Sequence, residues 1–201
     1  WSFQGRYRTL HLTWFAFFLS FVVWFNLAPL ATTVRADLGL TLGQIRTVAI
    51  CNVALTIPAR VLIGMLLDKY GPRITYSGIL VFSAIPCLMF ASAQDFNQLV
   101  ISRLLLSIVG AGFVIGIRMV AEWFPPKEIG LAEGIYGGWG NFGSAFSALT
   151  MVALAGFLSF SGGFELPTGA VLNWRGAIAL TGIISAIYGV FYFFNVTDTP
   201  P

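Results

Sequence analysis

The chain has 201 residues, 57% hydrophobic and only 9% charged, with a formal net charge of +3, whereas an ordinary soluble domain carries about 25% charged residues. So few charges cannot cover a water-soluble surface of this size, which excludes a soluble domain, a disordered chain and a nucleic-acid module together. Two cysteines, Cys51 and Cys87, lie inside apolar runs and read as small buried hydrophobes, so neither a disulfide framework nor a metal site is expected.

A spanning helix needs about 20 mostly apolar residues. Taken in chain order, such stretches cover residues 10–30, 45–67, 74–93, 99–124, 129–157 and 174–194. They are apolar all round, without the every-second-residue alternation of a membrane barrel. The expectation is an all-α membrane protein with six transmembrane helices in one unit over residues 1–201. The punctuation agrees: Asp68-Lys69-Tyr70-Gly71-Pro72-Arg73 is a tight charged turn, Pro125-Pro126 stops the fourth stretch, and Ser161-Gly162-Gly163 opens a longer loop. The first stretch is long and has no small-residue cleavage site, so it reads as a span and not as a signal peptide. The start at Trp1 and the end in Thr-Pro-Pro read as cuts from a longer protein.

Basic residues set orientation through the positive-inside rule. With the first residues inside, the inner segments hold Arg6, Arg8, Lys69, Arg73 and Lys127 and the outer ones Arg35, Arg46 and Arg175, five against three. Both termini are therefore expected in the cytoplasm.

Charges at membrane depth are costly and mark function. Arg60 precedes Asp68, the inner end of the second stretch, by eight residues, or about 12 Å into a core about 30 Å thick. Asn52, Thr56, Arg60 and Gly64 recur every four residues and read as a polar stripe. No acidic residue stands at matching depth, which points to an anionic substrate as partner; the plainer alternative is a structural pair with another helix. In the fifth stretch, Gly134 to Ser144 is rich in glycine, and Asn141 lies about 18 Å from Ile129, again near the midplane. Gly137, Gly138, Gly140 and Gly143 are expected to let helices approach closely. Phe113 and, more weakly, Phe25 are candidates to flank a flat anion. Arg103 and the Arg118/Glu122 pair read as structural or gating groups, with Glu122 also a candidate for proton handling, and Glu133 reads as structural. Asp68 is expected to pair with Arg73, a helix N-terminus or Arg118, with Gly71 making the turn and Pro72 stopping the helix. No catalytic constellation appears, no cofactor is implied, and the lone His11 makes an intramembrane hydrolase a poor reading.

Gly64-Met65-Leu66-Leu67-Asp68-Lys69-Tyr70-Gly71-Pro72-Arg73 resembles the inner loop between the second and third helices of major facilitator superfamily transporters. Arg103 followed by Gly110 resembles that superfamily's fourth-helix motif, and Gly138-Trp139-Gly140-Asn141-Phe142-Gly143 resembles the nitrate signature of its nitrate/nitrite porter branch. The resemblance implies the N-terminal six-helix half of a twelve-helix carrier in a bacterial inner (plasma) membrane. It also implies nitrate or nitrite as substrate, Arg60 as the anion-binding arginine and Asn141 as the amide beside it. A C-terminal six-helix half, with a second arginine and a second signature, would then be the partner. A carrier for another small anion and a non-transporting membrane subunit are the alternatives.

Overall fold

The computed structural model describes residues 4–200; Trp1 and Pro201, where the sequence reads as cut, lie outside them. The chain is helical nearly throughout: α1 (Gly5–Phe25), α2 (Ala31–Asp37), α3 (Leu42–Ala54), α4 (Thr56–Phe82), α5 (Ala84–Ala91), α6 (Phe96–Leu106), α7 (Gly112–Trp123), α8 (Ile129–Phe157) and α9 (Trp174–Asn195). Short 3-10 turns at Ala28–Leu30 and Ser107–Ala111 join α1 to α2 and α6 to α7. A two-stranded antiparallel hairpin, β1 (Phe164–Glu165) with β2 (Val171–Leu172), occupies the loop before α9.

Five segments are long and apolar enough to cross a membrane: Gly5–Asp37, Leu42–Ala91, Phe96–Trp123, Ile129–Ser161 and Trp174–Asn195. The second has 50 residues and would be about 75 Å long if straight, more than twice a bilayer core. Gly71 divides it, with φ 78° and ψ 167° inside an otherwise helical run. Residues on either side of this break meet the same side chain: Arg103 donates to the Asn52 side chain and lies over the Phe90 ring. The two arms are thus antiparallel, and the five segments make six rods.

Capping fixes where the helices start. Thr41 and Gln44 form a reciprocal capping box at α3, Asp95 accepts from Gln98 N at α6, and Asn173 accepts from Gly176 N at α9. Close packing relies on missing side chains. A Cβ on Gly140 would overlap the Phe17 ring, one on Gly143 would meet the Phe18 carbonyl oxygen, and one on Gly116 would overlap Tyr136. These contacts hold α8 against α1 and α7. The outward apolar surface is large: Ile57 is 78% exposed and Leu149 75%. That is the composition argument made visible, because such a surface needs lipid or protein to cover it.

Candidate functional site

Polar contacts occupy three levels of the bundle. At the Gly71 end, Arg118 bridges Asp68 and Glu122, donating to Glu122 at 2.9 Å. Arg6 pairs with Glu128 at 2.9 Å, and Arg8 donates to Asn195 at 2.8 Å. Asp198, beyond α9, accepts from the backbone N–H of Arg73 at 2.7 Å, capping the arm that begins at Pro72. Its carboxylate stands where a Cβ on Gly71 would go, so Gly71 is required twice, for its positive φ and for this close approach. Trp123 Nε1 donates to the Thr197 and Asp198 carbonyls at 3.2 Å. At the opposite end, Asp37 accepts from Trp174 Nε1 at 2.8 Å and lies 3.5 Å from Arg175, whose guanidinium also donates to the Ala91 and Ala93 carbonyls.

Between these ends lies Arg103, fully buried. It donates to Asn26 at 3.0 Å and Asn52 at 3.4 Å, and its guanidinium carbon is 4.0 Å from the Phe90 ring centroid. Asn26 donates on to Thr181, and Asn52 exchanges hydrogen bonds with the Trp24 backbone oxygen and indole. One cation therefore joins the end of α1 to α3, α5, α6 and α9 through neutral partners and a ring face. The two asparagines, polar outliers in apolar stretches, are the sequence signal for this hub, and only the packing of α1 against α3 and α6 brings them to one cation.

The expected anion site takes a different form. Arg60, on α4, is exposed, and among the described residues it makes no hydrogen bond and no ion pair. The expected stripe Asn52, Thr56, Arg60, Gly64 is not one face: the buried line runs Asn52, Thr56, Ala59, Ile63, Leu67. Steps of four advance by about 40° each, so Arg60 has rotated out of the line that Asn52 begins. Asn141 is also exposed, and its amide donates to Gly137 O of its own helix at 2.7 Å. Arg60 and Asn141 share no hydrogen bond; both are exposed, each on its own helix.

The glycines of α8 divide by the same rotation. Gly140 and Gly143 pack on α1, whereas a Cβ on Gly134, Gly137 or Gly138 would meet nothing within 4 Å. Among the described residues, Gly137 and Gly138 do not take the packing role expected of them. With Asn141 they form a smooth, uncovered face. Phe113 is half-buried in a stack with Phe17 and Tyr136, at centroid distances of 5.4 and 6.2 Å. Phe25 is half-buried beside a groove of about 200 Å³ that it lines with Trp24, Ala28, Ile45 and Asn52. Among the described residues no group of His, Cys, Asp and Glu could hold a metal ion.

Six apolar rods, sealed by polar contacts at both ends and bearing an arginine and an asparagine on uncovered faces at mid-span, have the build of one part of a polytopic membrane transporter. The chain belongs to the Major Facilitator Superfamily, whose family model matches residues 13–201. It is 65% identical to a nitrate/nitrite transporter, NrtP, of Picosynechococcus sp. and 63% identical to the NrtP of Nostoc punctiforme, over 100% and 99% of this chain and 40% and 39% of those proteins. A probable nitrate/nitrite antiporter, NarK1, of Thermus thermophilus is 31% identical over 94% of this chain and 42% of its own length. The chain thus spans about 40% of these relatives, matching their N-terminal part. A bacterial homologue of the human lysosomal transporter Spinster, in an inward-facing and occupied conformation, superposes with a TM-score of 0.81 at 20% identity, over 100% of this chain and 46% of that one. That likeness carries the fold.

Proposed function

We propose that this chain forms the N-terminal half of a carrier that moves nitrate or nitrite by alternating access, with Arg60 as the anion-binding cation and Asn141 as its hydrogen-bonding neighbour. The observation that carries the reading is Arg60 itself: a guanidinium well inside a candidate span, exposed, with no partner among the described residues. A charge at that depth needs a counter-charge, and a planar fork of donors suits a planar oxyanion. The relatives' names supply the anion. Asn141, on the uncovered face of α8, adds a donor once its bond to Gly137 O opens. Phe113 and Phe25 supply ring surface near the path. A second six-helix half would cover the Gly134, Gly137 and Gly138 face and complete the site. The setting is the inner (plasma) membrane, with the Gly71 end and both chain ends toward the cytoplasm, as the distribution of basic residues favours.

The test is Arg60→Lys in the full-length carrier. Lysine keeps the charge but presents a point donor in place of the fork. Nitrate uptake into proteoliposomes is expected to lose affinity by at least about tenfold, the worth of one charge-assisted hydrogen bond. Uptake with unchanged KM would refute a bidentate site at Arg60, and competition by other small anions measures selectivity in the same assay.

A further inference from the structure

The acidic side chains separate cleanly by partner. Asp37 is held by Trp174 and Arg175, Asp68 and Glu122 by Arg118, Glu128 by Arg6, Asp198 by Arg73, and Asp95 caps α6. Glu165 is exposed in the hairpin outside the candidate spans. Glu133 is half-buried, lies within a candidate span, and among the described residues makes no hydrogen bond and no ion pair. Glu122, expected from the sequence as a proton-handling candidate, is occupied by Arg118; Glu133, expected to be structural, is the carboxyl group within the candidate spans that has no partner among the described residues.

Among the described residues no cation stands within ion-pair distance of Glu133. On α1 the charged and titratable groups toward this end are Arg6, Tyr7, Arg8 and His11; Arg6 and Arg8 are engaged by Glu128 and Asn195, and His11 accepts from Trp14 Nε1 at 2.9 Å. On α7 they are Arg118 and Glu122, paired with each other. On α9 they are Tyr188, which donates to Leu12 O, and Tyr192, bonded to Thr13. Tyr136, one turn further along α8, donates to Phe113 O and meets Tyr76. None of these meets Glu133 in a hydrogen bond or ion pair.

Glu133 lies eight residues before Asn141 on α8, about 12 Å along the axis and about 80° around it. We propose that Glu133 carries the proton that accompanies the anion. The inference rests on Asn141 belonging to the anion site. An anion there and a carboxylate at Glu133 repel each other by about a tenfold factor at this separation and an effective dielectric constant of about 20. A proton on Glu133 removes that penalty, and by reciprocity a bound anion favours the protonated carboxyl. Proton and anion therefore cross together. The carboxylate takes one proton from the water on one side and releases it to the other, and no other bond changes.

The full-length carrier in liposomes, with a pH dye trapped inside, provides the test. In the wild type a pulse of external nitrate is expected to acidify the lumen while nitrate enters. Glu133→Gln is expected to keep exchange of external for trapped nitrate within about twofold and to lose the acidification; Glu133→Asp restores it. Acidification undiminished in Glu133→Gln would overturn the proposal, as would wild-type nitrate exchange with no proton movement. If Glu133→Gln does not fold, Glu133→Asp decides: a displaced pH profile of acidification supports the proposal and an unaltered one overturns it. Absence of any nitrate exchange by well-folded wild type is a separate result that overturns the functional reading itself.

Discussion

Arg60, Arg103 and Asn141 show how little residue type alone says about role. Two of these groups are exposed at mid-span and one is fully buried, and their substitutions should part accordingly. Arg103→Leu leaves the acceptor oxygens of Asn26 and Asn52 without a donor, at about 1–3 kcal/mol for each buried unsatisfied group. A large drop in thermal stability in detergent is expected, with transport lost as a consequence of unfolding. Asn141→Ala removes a side chain bonded only within its own helix, and alanine suits a helix. Its melting temperature should stay close to wild type while nitrate KM rises. Equal loss of stability and transport in Asn141→Ala would mean that the amide packs against protein and does not serve the anion.

Helices impose a finer rule than a count of glycines. Gly140→Ala drives a methyl into the Phe17 ring, and overpacking of this kind costs about 1–3 kcal/mol. Gly137→Ala enters open space and should leave the fold of this half intact or slightly more stable, since alanine outranks glycine in a helix by about 1 kcal/mol. If the Gly137 face seats the second half, that substitution lowers transport without lowering the thermal stability of the isolated half; loss of both would place Gly137 in the packing of this half. The apolar stretches made the rods legible from the sequence, and the Asp68 to Arg73 turn marked the reversal, because both follow from local chemistry. The division of Gly137 and Gly138 from Gly140 and Gly143 was not legible, since it depends on which face α1 covers. The Asn52 stripe failed for a related reason: a spacing of four drifts around a helix of 3.6 residues per turn. Asp198 was missed because its partner Arg73 lies 125 residues away, and nothing local marks it as a cap.

At the scale of the whole bundle, the contacts at the Gly71 end bear on how a carrier could move. Asp68 with Arg118, Arg73 with Asp198, and Arg6 with Glu128 all join elements of this one chain. A latch that opens during transport would need a partner in another half; contacts internal to one half survive a rocking motion of that half and stiffen it instead. Asp68 is 77% exposed in its side chain, and an exposed ion pair contributes about 0–1 kcal/mol. Asp68→Asn should therefore change the melting temperature of this half little, and cysteines at Lys69 and Thr41 should report unchanged accessibility from the two sides. A shift toward the inward-open state would show instead that Asp68 also reaches across to another half. Residues 1–201 alone in liposomes should give no saturable nitrate uptake, because the uncovered α8 face and Arg60 would lack an opposing wall; robust uptake would show that the chain assembles a complete carrier with itself. The Gly71 turn has a further consequence for biosynthesis. The backbone N–H at the start of its second arm waits through most of synthesis for the Asp198 carboxylate that closes it, so the hairpin of the second and third rods is sealed only after the last rod has been made. Ribosome-bound intermediates would hold that turn hydrated until Asp198 emerges, which ties the order of insertion to the order of sealing.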